Sequence, residues 1–171
     1  MNHTNIRSKE NLNLQSLSMD LSRFVGERNL VTLSLDAVQS LDESLLKQMN
    51  VMKPGLRPQM LLTLLTYSYA SSLYASKDIE SAIETDPTVR YLCAKTRPSW
   101  QMLRRFRRQN REAVQQCLLY VLKQVWALKF DQGEADYVGY DWFETQLVKR
   151  LERGAQDRIE AAILMDGAES V

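Results

Sequence analysis

At 171 residues the chain is long enough for one domain with a sizeable core, or for a domain with tails. Apolar residues at 44% and charged residues at 25% are ordinary for a globular protein, and no apolar run reaches the length of about 18 residues that crosses a bilayer, which argues against a membrane protein. The net charge of only +1 argues against general adhesion to polyanions, so any attraction has to come from how the charge is distributed.

Helix signals dominate from one end to the other. Residues 1–13 are polar, with scattered Asn and Ser, and are expected to form a disordered tail. Leu17, Leu21 and Phe24 recur at helical spacing and predict a helix within residues 14–27. Ser34 or Asp36 is expected to cap a second helix running to Met49 on Val38, Leu41, Leu45 and Leu46. "NVMKPGLRP" is a break, since two prolines and a glycine cannot continue a helix. Pro58 suits the first turn of the next helix. The stretch "QMLLTLLTYSYASSLY" is apolar on most faces, as in a central helix, so residues 58–74 are expected to be the heart of the core.

Ser76, followed by Ile79 and Glu80, carries a capping signal for another helix. Asp86 and Pro87 read as an N-cap and first helical residue, predicting a short helix over about 87–93. "AKTRPS" is a turn. Ser99 is then expected to cap one long helix over about 99–129. Its apolar stripe is Leu103, Phe106, Val114, Leu118, Val121 and Val125, with Arg104, Arg107, Arg108 and Arg111 opposite. "DQGEAD" is a second break. Asp141 is expected to start a final amphipathic helix to about Met165, carrying Leu147, Leu151, Ile159, Ala162 and Ile163, with Gly154 weakening it. The fold class is therefore all-α, a helical bundle with a long basic helix. Residues 14–130 form its main domain, and residues 131–171 an acidic break plus the last helix. Cys93 and Cys117 lie inside apolar helical patterns and read as buried, reduced thiols of a cytoplasmic protein.

Charge is not spread evenly. Residues 95–111 hold seven Lys or Arg and no acid, whereas residues 112–171 hold six basic and eleven acidic residues. Such a local excess favours an anionic partner. Short helices leading to a basic helix N-terminus have the form of a helix-turn-helix, which seats a helix in the major groove and anchors it by phosphate contacts. The candidate DNA-binding residues are Lys95, Arg97, Ser99, Trp100, Gln101, Arg104, Arg105, Arg107, Arg108 and Arg111. Arginine can grip guanine and glutamine adenine, each through two hydrogen bonds. Two plainer readings stand beside this one: a solvated face that keeps a long helix soluble, or pairing of the arginines with acids between Glu134 and Glu144 of the same chain.

From Pro58 to about Val121 the sequence resembles the N-terminal domain of InsH-type insertion-sequence transposases. The resemblance rests on "RPQMLLTLLTYSYASSLYASKDIE", "ETDPTVRYLCA" and "RPSWQMLRRFRR". Matching positions are Pro58, Leu61, Leu64, Leu65, Tyr67, Tyr69, Ser76, Ile79, Glu80, Tyr91, Leu92, Pro98, Leu103, Arg105, Phe106 and Arg107. Lys77 and Asp78 stand where the family usually has two basic residues, and Ser99 and Trp100 where it commonly has Asp and His. In that family this domain precedes the catalytic part and is associated with recognising the ends of the mobile element. The resemblance thus implies a bacterial protein, double-stranded DNA as partner, and a nucleoid-associated location.

Chemistry of its own is not expected. The catalytic part of such transposases is a ribonuclease-H-like domain whose three carboxylates converge on two metal ions. About 40 residues follow Phe130 here, and they read as helix. Asp131, Glu134, Asp136, Asp141 and Glu144 cluster locally with no sheet to hold them. Asp166 and Gly167 in "MDGA" resemble the first catalytic Asp-Gly step, but with four residues after them no working site is expected. The single histidine, His3, excludes the usual triads and zinc sites. Glu80 is expected to pair with Arg105 or Arg107. No cofactor and no metal site are expected. Two alternatives to DNA binding remain: an interaction module whose last helix pairs with its own copy or with a full-length transposase, and an inert remnant.

Overall fold

The computed structural model describes residues 15–49, 55–129 and 140–169, with the side chains of 140–144 and 168–169 left aside. The tail expected at 1–13 and the acidic break at 131–136 lie outside the described residues. Nine helices run through them: α1 (Ser22–Val25), α2 (Glu27–Gln39), α3 (Glu43–Lys47), α4 (Pro58–Ala70), α5 (Ser76–Thr85), α6 (Pro87–Leu92), α7 (Trp100–Gln109), α8 (Arg111–Lys129) and α9 (Tyr140–Glu169). The described residues contain no strand, so the all-α expectation holds. No helix among them is long and apolar enough to cross a membrane.

The core is built around α4. Every residue from Leu61 to Ala70 is buried, as a helix apolar on nearly all faces requires. Its other wall is α8, whose buried residues Ala113, Val114, Cys117, Leu118, Val121, Leu122, Val125 and Trp126 keep a strict helical repeat. Helices α2 and α9 pack on α8, α6 and α7 pack on α4, and α5 packs on α6, α7 and α9. Cys93 and Cys117 are buried free thiols, and burial pushes them up to about 11 and about 12.

Several predicted boundaries move: the helix expected to run to Met49 breaks after Gln39, and the one expected over 58–74 ends at Ala70. A helix was expected from Ser34 or Asp36, but α2 starts at Glu27. Gly26, at φ 82 and ψ 156, turns the chain there. Ser34 sits mid-helix, its hydroxyl donating to the Leu30 carbonyl at 2.7 Å, and the cap role passes to Asp42, which accepts from Ser44 N–H at the start of α3. The long helix of 99–129 is two helices. Asn110, at φ −125 and ψ 35, closes α7: its backbone N–H and side-chain amide both donate to the Phe106 carbonyl. Ser76 is not an N-cap either; Ala75 holds that position and Ser76 is the first helical residue.

The last helix belongs to this core. Leu151, Ala155, Arg158, Ile159, Ala162 and Asp166 form its buried stripe. Arg158 donates to the carbonyls of Tyr69 and Ala70 at the C-terminus of α4, which also accept from the backbone N–H groups of Ser72 and Leu21, and to those of Leu17 and Met19. One guanidinium therefore ties the end of α4 and the segment before α1 to α9. Burial lowers its pKa, with the Tyr74 hydroxyl and nearby Asp20 opposing.

Candidate nucleic-acid interface

Helix α7 carries the basic run, and its geometry decides which cations face outward. The chain enters extended at Ser99, whose hydroxyl accepts from Met102 N–H at 3.3 Å. The N–H of Trp100 donates to the Glu80 carboxylate of α5 at 2.5 Å. Glu80 therefore caps α7 from a neighbouring helix, instead of pairing with Arg105 or Arg107 as expected. An anion at a helix N-terminus meets unpaired N–H groups and the positive end of the dipole.

Leu103, Phe106 and Arg107 form the buried side of α7. Arg107 thus departs from the expected outward set. It lies one turn after Leu103 and next to Phe106, so it borders the apolar stripe and follows it inward. There it is held by Asp166 of α9 at 2.5 Å and lies 3.3 Å from the Tyr69 hydroxyl. Burial opposes its charge, yet Tyr69 and the Asp166 carboxylate outweigh burial and raise its pKa. Tyr69 is itself pushed up to about 12, chiefly by burial.

Asp166 does more than neutralise Arg107. One of its oxygens accepts from the backbone N–H of Ser76 at 2.7 Å, and the other from the Ser76 hydroxyl at 2.9 Å. It caps α5 much as Glu80 caps α7. Arg104, its side chain 24% exposed, brings Nε to 3.9 Å from the same carboxylate. The Asp of "MDGA" thus sits in a dense hydrogen-bonded knot.

The outward face is Gln101, Arg105 and Arg108, all exposed and spaced by turns of the helix, with exposed Arg111 following at the start of α8. Arg105, Arg108 and Arg111 form no ion pair among the described residues. Trp100 is half-buried, with Lys77 Nζ 5.0 Å and the Arg104 guanidinium 5.5 Å from its ring centre. The ring is thus occupied by two cations, an arrangement worth about 0.5–1 kcal/mol each at exposed sites. Lys95 is exposed on the turn before α7, and Arg97, also exposed, is ion-paired with Glu84. Between α7, α8 and the end of α9 lies a hollow of about 340 Å³ lined by Arg104, Arg107, Arg108 and Arg111.

Of the ten sequence candidates, the fold brings Gln101, Arg105, Arg108 and Arg111 onto one exposed surface and takes Arg107 inside. Sequence reading missed Arg158 and treated Asp166 only as part of a motif. The signal was available: both fall at core spacing on the apolar stripe of the last helix, where a charge demands a buried partner. Among the described residues no group of His, Cys, Asp and Glu is placed to hold a metal ion.

Residues 19–109 match the model of the family described as Transposase domain (DUF772), which is more than half of the chain. The match ends with α7 and leaves α8 and α9 beyond it. Comparison with curated proteins and with solved structures finds no match.

Proposed function

The chain belongs to the family described as Transposase domain (DUF772), and from that membership we propose that it binds double-stranded DNA without catalysing strand transfer itself. Helices α6 and α7 with the turn between them act as a helix-turn-helix-like unit, α7 entering the major groove. The observation that carries this reading is the exposed row Gln101, Arg105, Arg108 and Arg111, whose arginines have no carboxylate partner among the described residues. Arg108, Arg111 and Lys95 suit phosphates, and Gln101 and Arg105 base edges. Trp100 acts as a wedge that sets Lys77 and Arg104, not as a stacking platform for a base. By the resemblance to InsH-type transposases, the DNA is a mobile-element end.

Asp166 gives a catalytic role no support. Its oxygens hold Ser76 and Arg107, and no group of His, Cys, Asp and Glu among the described residues stands with it to hold a metal ion.

Titrating duplex DNA at rising salt tests the proposal. Three or four phosphate contacts give a slope of log K against log salt of about −3 to −4. A chain that binds no duplex even at about 50 mM salt rejects the DNA reading.

The self-association reading keeps one specific support. Most of the apolar stripe of α9 is spent inside the molecule, but Ile163, Leu164 and Met165 stay exposed near its end. A light-scattering mass that remains monomeric at micromolar concentration removes it.

A further inference from the structure

A groove of about 650 Å³ lies beside the start of α7, between the end of α5 and the turn that follows α6. Of the residues assigned to the duplex, Lys95 alone reaches it, at its edge toward α7. Its apolar lining comes from Ile83, Pro87 and Ala94. Tyr91 stands at it 71% exposed, although its helix neighbours Val89 and Leu92 are buried. An aromatic ring left this open is available to stack.

The cations of the groove are pre-set. Arg90 donates from Nε to the Ile83 carbonyl at 3.2 Å and from Nη2 to the Glu84 carbonyl at 2.5 Å, which fixes its guanidinium at the C-terminus of α5. Arg97 is held by Glu84. The backbone then takes an unusual course: Ala94 at φ 46 and Lys95 at φ 67 are consecutive non-glycine residues in the left-handed region. Such strain persists where the surroundings hold it and tends to gather at functional sites. Thr96 fixes the turn, its N–H and hydroxyl both donating to the Cys93 carbonyl. The outcome is Lys95 lining the same groove as Tyr91.

We propose that this groove binds one unpaired nucleotide, the base stacked on Tyr91 and its phosphate against Lys95 and Arg97. A planar ring suits the aromatic edge and apolar lining, the cations call for an anion covalently joined to that ring, and a nucleotide supplies both. Because Lys95 and Arg97 lead directly into α7, the groove continues the path of a duplex held there. The protein then distinguishes a DNA end with a splayed strand from an intact duplex. This inference rests on the DNA-binding reading.

The test compares the full chain's affinity for a blunt duplex, for the same duplex with a single-stranded extension, and for the extension strand alone. The extension is expected to tighten binding about tenfold, in the range of one stacked base. Tyr91→Ala removes that gain and Tyr91→Phe keeps it, neither change touching the core. Arg105→Ala with Arg108→Ala weakens blunt and extended duplexes alike. Equal affinity for the two duplexes, or a gain that survives Tyr91→Ala, overturns the groove assignment while leaving duplex binding intact. A blunt duplex that does not bind removes the duplex reading instead. In that event, strand binding equal in wild type and Tyr91→Ala removes the groove as well.

Discussion

Removing Asp166 leaves the Arg107 guanidinium buried with no carboxylate and strips α5 of its cap. Breaking a buried pair from one side costs far more than replacing both partners with apolar residues. Asp166→Ala is expected to lower the unfolding free energy by about 3–5 kcal/mol in urea titrations. The double change Arg107→Met with Asp166→Leu should cost clearly less than the two single losses added together; strictly additive losses would show that the residues do not act as a pair. At this scale the sequence was least legible. Arg107 looks like its neighbours in a run of arginines, and its partner lies 59 positions away. Glu80 was expected to pair with Arg105 or Arg107; its acceptor role toward Trp100 N–H depends on how two helices meet, which no local pattern encodes.

Two glycines show how the elements depend on the backbone. Gly26, at φ 82 and ψ 156, occupies a region essentially closed to other residues and sets where α2 begins. Gly154 lies within α9, and a Cβ there would meet Leu122 Cδ1 at 3.5 Å, an ordinary contact. Gly26→Ala is expected to destabilise by about 1–3 kcal/mol. Gly154→Ala is expected to stabilise by about 0.5–1 kcal/mol, since it removes the cost of glycine inside a helix. Thermal melts of the two variants should move in opposite directions, and a shift of both the same way would contradict the assigned backbone roles. Long periodic segments were the legible ones: α4 from its all-round apolarity and α8 from its apolar stripe; the short α6 was legible from Asp86 and Pro87. Asn110 carried no such mark, because the apolar stripe runs across it almost in phase. Ser34 and Asp36 misled because the residues that cap helices also sit inside them when the hydroxyl or carboxylate finds another place.

Across the whole molecule, four groups among the described residues stay protonated through burial. Cys93 rises to about 11, and Cys117, Tyr67 and Tyr69 to about 12, from ordinary values of 9.0 for the thiols and 10.0 for the phenols. Each is neutral when protonated, so the folded chain keeps protons that the unfolded chain gives up first. Stability is therefore full below about pH 9, falls as pH rises through about 9 to 12, and is not regained above that range. Urea midpoints measured at neutral and at alkaline pH should show the fall; a midpoint unchanged across that window would mean that these groups titrate alike in both states.

At the same scale, the fold joins its basic surface to its last helix through Asp166, so exposed cations and cations tied into the core alternate along one segment. The local charge excess of residues 95–111 was visible in sequence, but its division into inner and outer sets was not. That division makes the sharpest test a comparison of duplex affinity and its salt dependence between wild type and Arg105→Ala, Arg108→Ala, Arg111→Ala combined. All three side chains are exposed, so helicity by circular dichroism should stay the same. The account predicts much weaker binding and a salt slope shallower by about one for each phosphate contact removed. Equal affinity with an unchanged slope would contradict it.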